Sequence, residues 1–126
     1  MNIMDKILNL GRWIFPLSFL MYVGLHFGQA GVGADFVPDF LPFPYFWNYF
    51  TGVCILAFIV SAVIGKYDKL AYTLMALYVL LMAILVHLPR AGESEMDMLN
   101  VFRNIMVTGA LLGFAKFVAR DKRVIG

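Results

Sequence analysis

Four long apolar runs dominate the chain, and most of its polar residues lie between them. Each run approaches the ~20 residues that an α-helix needs to cross a ~30 Å hydrocarbon core. The pattern therefore predicts an all-α, polytopic membrane protein, a four-helix bundle that forms a single domain over residues 1–126. We expect its transmembrane helices over about residues 8–27, 46–65, 69–88 and 99–119.

The composition agrees with this pattern and excludes several classes of function. The chain is 62% hydrophobic and only 14% charged, whereas about a quarter of the residues in soluble domains are charged. Its single cysteine, Cys54, excludes an intramolecular disulfide and a thiol-relay pair. No Gly-rich phosphate loop, metal-ligand cluster, basic nucleic-acid patch or catalytic set is recognisable. We therefore expect the lipid bilayer as partner, and neither a metal site nor a nucleic-acid partner.

The distribution of basic residues predicts how the chain crosses the bilayer. If all four runs span, the N-terminal tail, the link between helices two and three, and the C-terminal tail share one side. That side carries eight of the ten Lys and Arg residues. Because basic residues concentrate in cytoplasmic segments, both termini are predicted to be cytoplasmic. We expect a multi-pass protein of a cell membrane, specifically a bacterial cytoplasmic (inner) membrane.

The connection after the first run is rich in proline and aromatic residues. Prolines interrupt regular helix, and aromatic side chains suit the headgroup zone of a membrane. Irregular backbone at that depth has to be shielded by protein, because lipid cannot hydrogen-bond its amides. The segment is therefore predicted to fold over the outer face of the bundle as a lid, with Phe36, Pro38, Phe40, Pro42, Phe43 and Trp47.

Several polar side chains fall inside the predicted spans, all towards the same end. Counting ~1.5 Å per residue from the basic anchors places them roughly 18–27 Å along their helices. An arginine facing lipid at such a depth costs about 2.5–3.5 kcal/mol, so it should turn inward or snorkel. We therefore predict an outward-facing polar pocket under the lid, formed by His26, Asn48, Thr51, His87, Arg103 and Asn104.

A purely structural interpretation of these residues stays open. A lone histidine near a helix end often only makes hydrogen bonds within the protein. In this interpretation Arg103 binds the loop carboxylate of Asp35 or Asp39. Two Gly-x-x-x-Gly spacings, at residues 24–28 and 109–113, permit close helix approach and are weak indications of a homo-oligomer.

A series of short motifs runs through most of the chain in order: Gly24-Leu25-His26-Phe27, Phe36-Val37-Pro38, Leu41-Pro42-Phe43-Pro44, Trp47, Tyr49, Thr51-Gly52 and Val86-His87-Leu88-Pro89. This series resembles the DoxX-like family of small four-helix membrane proteins. In many relatives a glutamate follows the Ser/Thr-Gly pair, whereas Ile55 stands at the comparable position here. That departure weakens any proton-transfer role inferred from the family.

The resemblance implies a redox-associated or assembly role. Relatives include a small subunit of a thiosulfate:quinone oxidoreductase and eukaryotic receptor-assembly factors or cargo receptors. We accordingly expect a non-catalytic accessory subunit, assembly factor or small-ligand binder, with other membrane proteins as further partners. The alternative is a redox subunit of a membrane oxidoreductase that binds quinone, or less plausibly haem. A transporter or channel is a third alternative, disfavoured because the cytoplasmic halves of helices two and three carry almost no polar lining.

Overall fold

The computed structural model describes residues 1–126 and contains only helices. In chain order the α-helices are α1 (Ile3–Asn9), α2 (Gly11–Ser18), α3 (Leu20–Gly28), α4 (Ala30–Asp35), α5 (Pro44–Ile64), α6 (Asp68–Met82) and α7 (Glu95–Phe117). Four continuous helical stretches are long and apolar enough to cross a membrane: Ile3–Gly28, Pro44–Ile64, Asp68–Arg90 and Glu95–Phe117. The predicted all-α fold with four candidate spans is confirmed. The length and composition of these helices indicate a multi-pass membrane protein.

The first span begins earlier than predicted and is segmented. Asn2 caps it, because its side-chain oxygen accepts the backbone N–H of Asp5 at 2.9 Å. Pro16 lies inside α2, where it lacks the N–H that a regular helix would use, and α2 ends two residues later at Ser18. The helix therefore begins five residues before the start expected near residue 8, because its cap lies upstream of the apolar run.

The proline-rich connection is partly helical, which the sequence pattern did not predict. Ala30–Asp35 form α4, and only residues 36–43 between α4 and α5 are irregular. Pro44 opens α5 instead of breaking a helix, because proline at the first helical position lacks only an N–H that would have no partner there anyway.

The third span changes its helical type near its end. After α6, residues Ala83–His87 form a π-helical turn, in which the N–H of Leu88 donates to the carbonyl of Ala83, and Leu88–Arg90 form a 3-10 turn. The fourth span has a capped N-terminus, because the Ser94 hydroxyl accepts the backbone N–H of Asp97 at 3.2 Å.

The apolar core lies between α5, α6 and α7, with α2 and α3 packed on one side. At its centre Phe58 and Tyr72 meet edge to face at 5.2 Å between ring centroids, and Leu111 is fully buried. The link at residues 65–67 is short, so α5 and α6 are antiparallel neighbours. Gly65 makes this turn with φ +74°, the left-handed region that favours glycine.

The two ends of the bundle carry different connections. We call the end with residues 36–43 and 91–94 the loop end, and the end with residues 65–67 and 118–126 the tail end. At the tail end Asp68 is buried, and its carboxylate accepts the backbone N–H groups of Lys69, Arg120 and Asp121 at 2.8–3.0 Å. The Arg120 guanidinium in turn donates to the carbonyls of Ala62 and Val63 at the end of α5. These bonds hold the C-terminal segment across the turn between α5 and α6.

Candidate ligand site at the loop end

The predicted pocket residues belong to separate hydrogen-bonded groups. Each of the two histidines has its own partner. His26 pairs with α5, His87 pairs with the first turn of α7, and Arg103 and Asn104 pair with each other. The partners depend on how each helix is rotated about its axis.

The first group joins α3 to α5 through a reciprocal pair. The ring Nδ1 of His26 lies 3.0 Å from the backbone carbonyl oxygen of Asn48, and the side-chain amide of Asn48 donates to the carbonyl of His26 at 2.7 Å. Asn48 is 2% exposed, whereas His26 is half-buried. Gly52, one turn further along α5, makes room for this approach, because an added Cβ would lie 3.0 Å from His26 Cβ.

Asn48 also explains why α4 carries a glycine at its contact with α5. The Oδ1 atom of Asn48 is buried without a hydrogen-bond partner and packs against Gly33. A Cβ at Gly33 would overlap Asn48 Oδ1, so no other residue fits there without displacing the asparagine. The orphaned oxygen faces the backbone of α4 and leaves no room for a ligand atom.

The second group is a hydrogen-bonded pair of His87 and Asp97, between the π-helical turn and α7. His87 Nδ1 lies 2.8 Å from Asp97 Oδ1, and the two side chains are 9% and 13% exposed. A π-helical turn inside a longer helix is uncommon and frequently marks a functional site. Here it ends at His87, the residue that faces the carboxylate.

Residues at the end of α4 cover the second group. The Phe36 ring packs on the imidazole of His87 with ring centroids 5.6 Å apart. The Arg90 guanidinium lies 5.5 Å from the centroid of the same Phe36 ring and donates to the carbonyl of Asp35 at 3.0 Å. Arg90 therefore clamps this segment, through a backbone carbonyl; the alternative in which Arg103 holds Asp35 or Asp39 is not formed.

Arg103 and Asn104 form a third group on α7. The Arg103 guanidinium is on an exposed residue and donates to Asn104 Oδ1 at 3.2–3.3 Å, while its Cζ lies 5.7 Å from the Tyr22 ring centroid. Asn104 is buried and donates to the carbonyl of Val79 at 3.3 Å. Thr51, the last predicted pocket residue, lies beside the hydroxyl of Tyr78. These contacts join helices, and none involves either histidine.

The predicted lid is only partly folded onto the bundle. Phe36 and Pro38 are half-buried, and Trp47 packs within α5 against Phe46 and Phe50. The other members of the predicted lid, Phe40, Pro42 and Phe43, are exposed, with Phe40 and Phe43 at 71% and 74%. The rings of Phe40 and Phe43 do not cover the polar residues, and Phe36, the residue after α4, packs on His87. Exposed rings at this end remain suited to the headgroup zone.

Sequence reasoning missed the partners Asp97, Arg90 and Gly33. The position of Asp97 three residues after Ser94 marks the first turn of a capped helix. That signal places it at the start of α7, and the closeness of the third and fourth spans then brings it near His87. Comparison of the chain with protein-family models, with curated proteins and with solved structures yields no match. The function is therefore inferred from the hydrogen-bonded groups at the loop end and from the motif series.

Proposed function

We propose that the protein is a membrane accessory protein of the DoxX-like type that binds a small ligand at its loop end. The observation that supports this most strongly is the buried His87–Asp97 pair at 2.8 Å, which ends a π-helical turn and lies under the Phe36 ring. An ionisable pair inside an apolar span is costly to keep, so it is a functional-site hypothesis by default.

The tail end has its buried polar groups already engaged. Its buried carboxylate, Asp68, has three backbone N–H partners, and the Arg120 guanidinium caps the carbonyls at the end of α5. A ligand would therefore enter from the loop end or from the surrounding lipid. In the topology that we propose, with both termini cytoplasmic, this places the site on the outer side of a bacterial cytoplasmic membrane.

Native mass spectrometry in mild detergent tests this proposal. We expect the wild-type protein to retain a small molecule, and His87→Ala to release it, because that substitution removes the pair without changing the tail end. The same spectrum reports the copy number and any protein partner. Lys66→Ala, an exposed residue at the tail end, is the control and should retain the molecule. A wild-type protein that carries nothing, or an unchanged load in His87→Ala, would contradict the proposal.

A second candidate function is a quinone-binding redox subunit. The pairing of an imidazole with an aromatic ring 5.6 Å away favours it, since a flat ring compound could stack there. Quinone extracted together with the purified protein would support this candidate. Loss of that quinone in His87→Ala would assign its binding to the His87 site. The haem version requires a Soret absorption band in the purified protein, and its absence would remove that version.

A further inference from the structure

The hydrogen bonds at the loop end determine which ring nitrogen of each histidine carries a proton. An ionised carboxylate can only accept, so His87 Nδ1 must carry the hydrogen that it shares with Asp97. A backbone carbonyl also only accepts, so His26 Nδ1 must likewise donate to Asn48. In the neutral ring, the second nitrogen, Nε2, is then left with a free lone pair in both residues.

These lone pairs are open. Asn48 Oδ1 is the sole buried side-chain polar atom without a partner. His87 Nε2 makes no hydrogen bond within the protein, and it is not among such buried atoms, so it reaches the molecular surface although the residue as a whole is 7% exposed. The nearby guanidinium of Arg90 is already engaged with the Asp35 carbonyl and the Phe36 ring. The open hydrogen-bonding capacity next to Phe36 is therefore that of an acceptor.

We infer that His87 Nε2 selects a membrane-soluble phenol or hydroquinone, whose aromatic hydroxyl donates to it, over the corresponding ether, ketone or quinone. The inference rests on the proposed ligand-binding function and specifies the ligand class. Three features of the site lead to it. Asp97 keeps the acceptor nitrogen outward, Phe36 places an aromatic ring beside the imidazole, and His87 lies near the end of an apolar span, where an amphiphile's polar head would lie. A phenol is the stronger donor among uncharged hydroxyl compounds because it is weakly acidic.

A matched pair of probes isolates the hydroxyl. para-Octylphenol and para-octylanisole differ in one methyl group, and only the phenol can donate. Binding to the full-length protein in nanodiscs is measured by equilibrium dialysis, with empty nanodiscs to subtract partition into lipid. We expect the wild-type protein to prefer the phenol by about fivefold to tenfold, the size of one hydrogen bond.

Asp97→Asn gives the diagnostic variant, because it keeps the size and changes only the hydrogen bonding. The new side chain is neutral and offers Nδ1 either its carbonyl oxygen or its amide N–H, so the ring proton is no longer held on Nδ1; where the amide donates, the proton moves to Nε2 and a donor replaces the acceptor. We expect the preference for the phenol to weaken. Glu95→Gln is the matched control, an acid-to-amide change on an exposed residue of the same helical turn, and it should keep the wild-type preference. Circular dichroism melting verifies that both variants are folded.

The outcomes separate this inference from the proposal on which it rests. Equal binding of the two probes to the wild-type protein, or an undiminished preference in folded Asp97→Asn, would overturn the selectivity for hydroxyl donors. Failure of both probes to bind would also overturn it. In either case, a different molecule released by His87→Ala in native mass spectrometry would leave ligand binding at the loop end intact, whereas an empty wild-type protein would remove both.

Discussion

Each end of the bundle has one carboxylate with fixed partners, and the two carboxylates are used differently. At the tail end Asp68 is buried and accepts three backbone N–H groups, so its partners are fixed parts of the chain. At the loop end Asp97 is half-buried and faces a side chain, His87, whose second ring nitrogen has no partner in the protein. A buried carboxylate that is fully satisfied by backbone holds the fold together, whereas the free ring nitrogen at the loop end is available to a ligand. This difference separates the structural end from the candidate functional end.

Removal of the tail-end carboxylate should have the largest effect on stability. Asp68→Ala leaves the N–H groups of Arg120 and Asp121 without acceptors, at a cost of roughly 3 kcal/mol. The free energy of unfolding in detergent, measured by denaturant titration, is the readout. Asp5→Ala is the control, because Asp5 is exposed and its side chain makes no hydrogen bond. A loss as small as that of the control would show that the tail end is not held by Asp68.

A methyl group at Gly33 should destabilise the loop end by a smaller amount. Its Cβ would overlap the Asn48 side chain, and such overpacking costs about 1–3 kcal/mol. Gly28→Ala, where an added Cβ meets nothing within 4 Å, provides the control and should be neutral or slightly stabilising. Equal melting temperatures for the two variants would argue that α4 does not pack on Asn48 as described.

Acidification should loosen the C-terminal segment at the tail end. The guanidinium of Arg123, followed by the N–H of Tyr67, holds the pKa of the Asp121 carboxyl well below its usual range. Because this pKa is lower in the folded state, the contact stabilises the protein above the carboxyl's usual pKa, and the stabilisation is lost as the pH falls towards the folded-state pKa. Hydrogen exchange at the Tyr67 amide should therefore accelerate relative to core amides in that acidic range, and Asp121→Asn should show the faster exchange already at neutral pH. An acid-independent ratio would contradict this description.

The smallest effect is expected at Arg103. Its guanidinium is on an exposed residue and bonds only the side chain next to it, so Arg103→Ala should cost no more than about 0.5 kcal/mol. Thermal melting is a sufficient test. A loss above 1 kcal/mol would return Arg103 to the role of an internal clamp, as the sequence suggested.

The four spans were predictable because hydropathy is a local property that survives in almost any packing. The partners of polar side chains were not, because they depend on how each helix is rotated about its axis. Composition could not distinguish Arg90 from Arg103 as the clamp, nor reveal that His26 faces α5. The short helix α4 was not predictable for another reason: Ala30–Asp35 contain two glycines and little apolar periodicity. Resemblance to DoxX-like proteins stays a prediction, as do the topology, the cellular membrane and the accessory role.

The proton position on His87 tests the central claim of an open acceptor most directly. Nitrogen NMR of the protein carrying ring-labelled histidine resolves the two ring nitrogens, and a His26→Gln sample assigns the signals, since the chain has two histidines. We predict a protonated Nδ1 and a bare Nε2 for His87, and we expect the Nε2 signal to shift on addition of para-octylphenol but not para-octylanisole. A protonated Nε2 at neutral pH, or a bare Nε2 that does not respond to the phenol, would contradict the account.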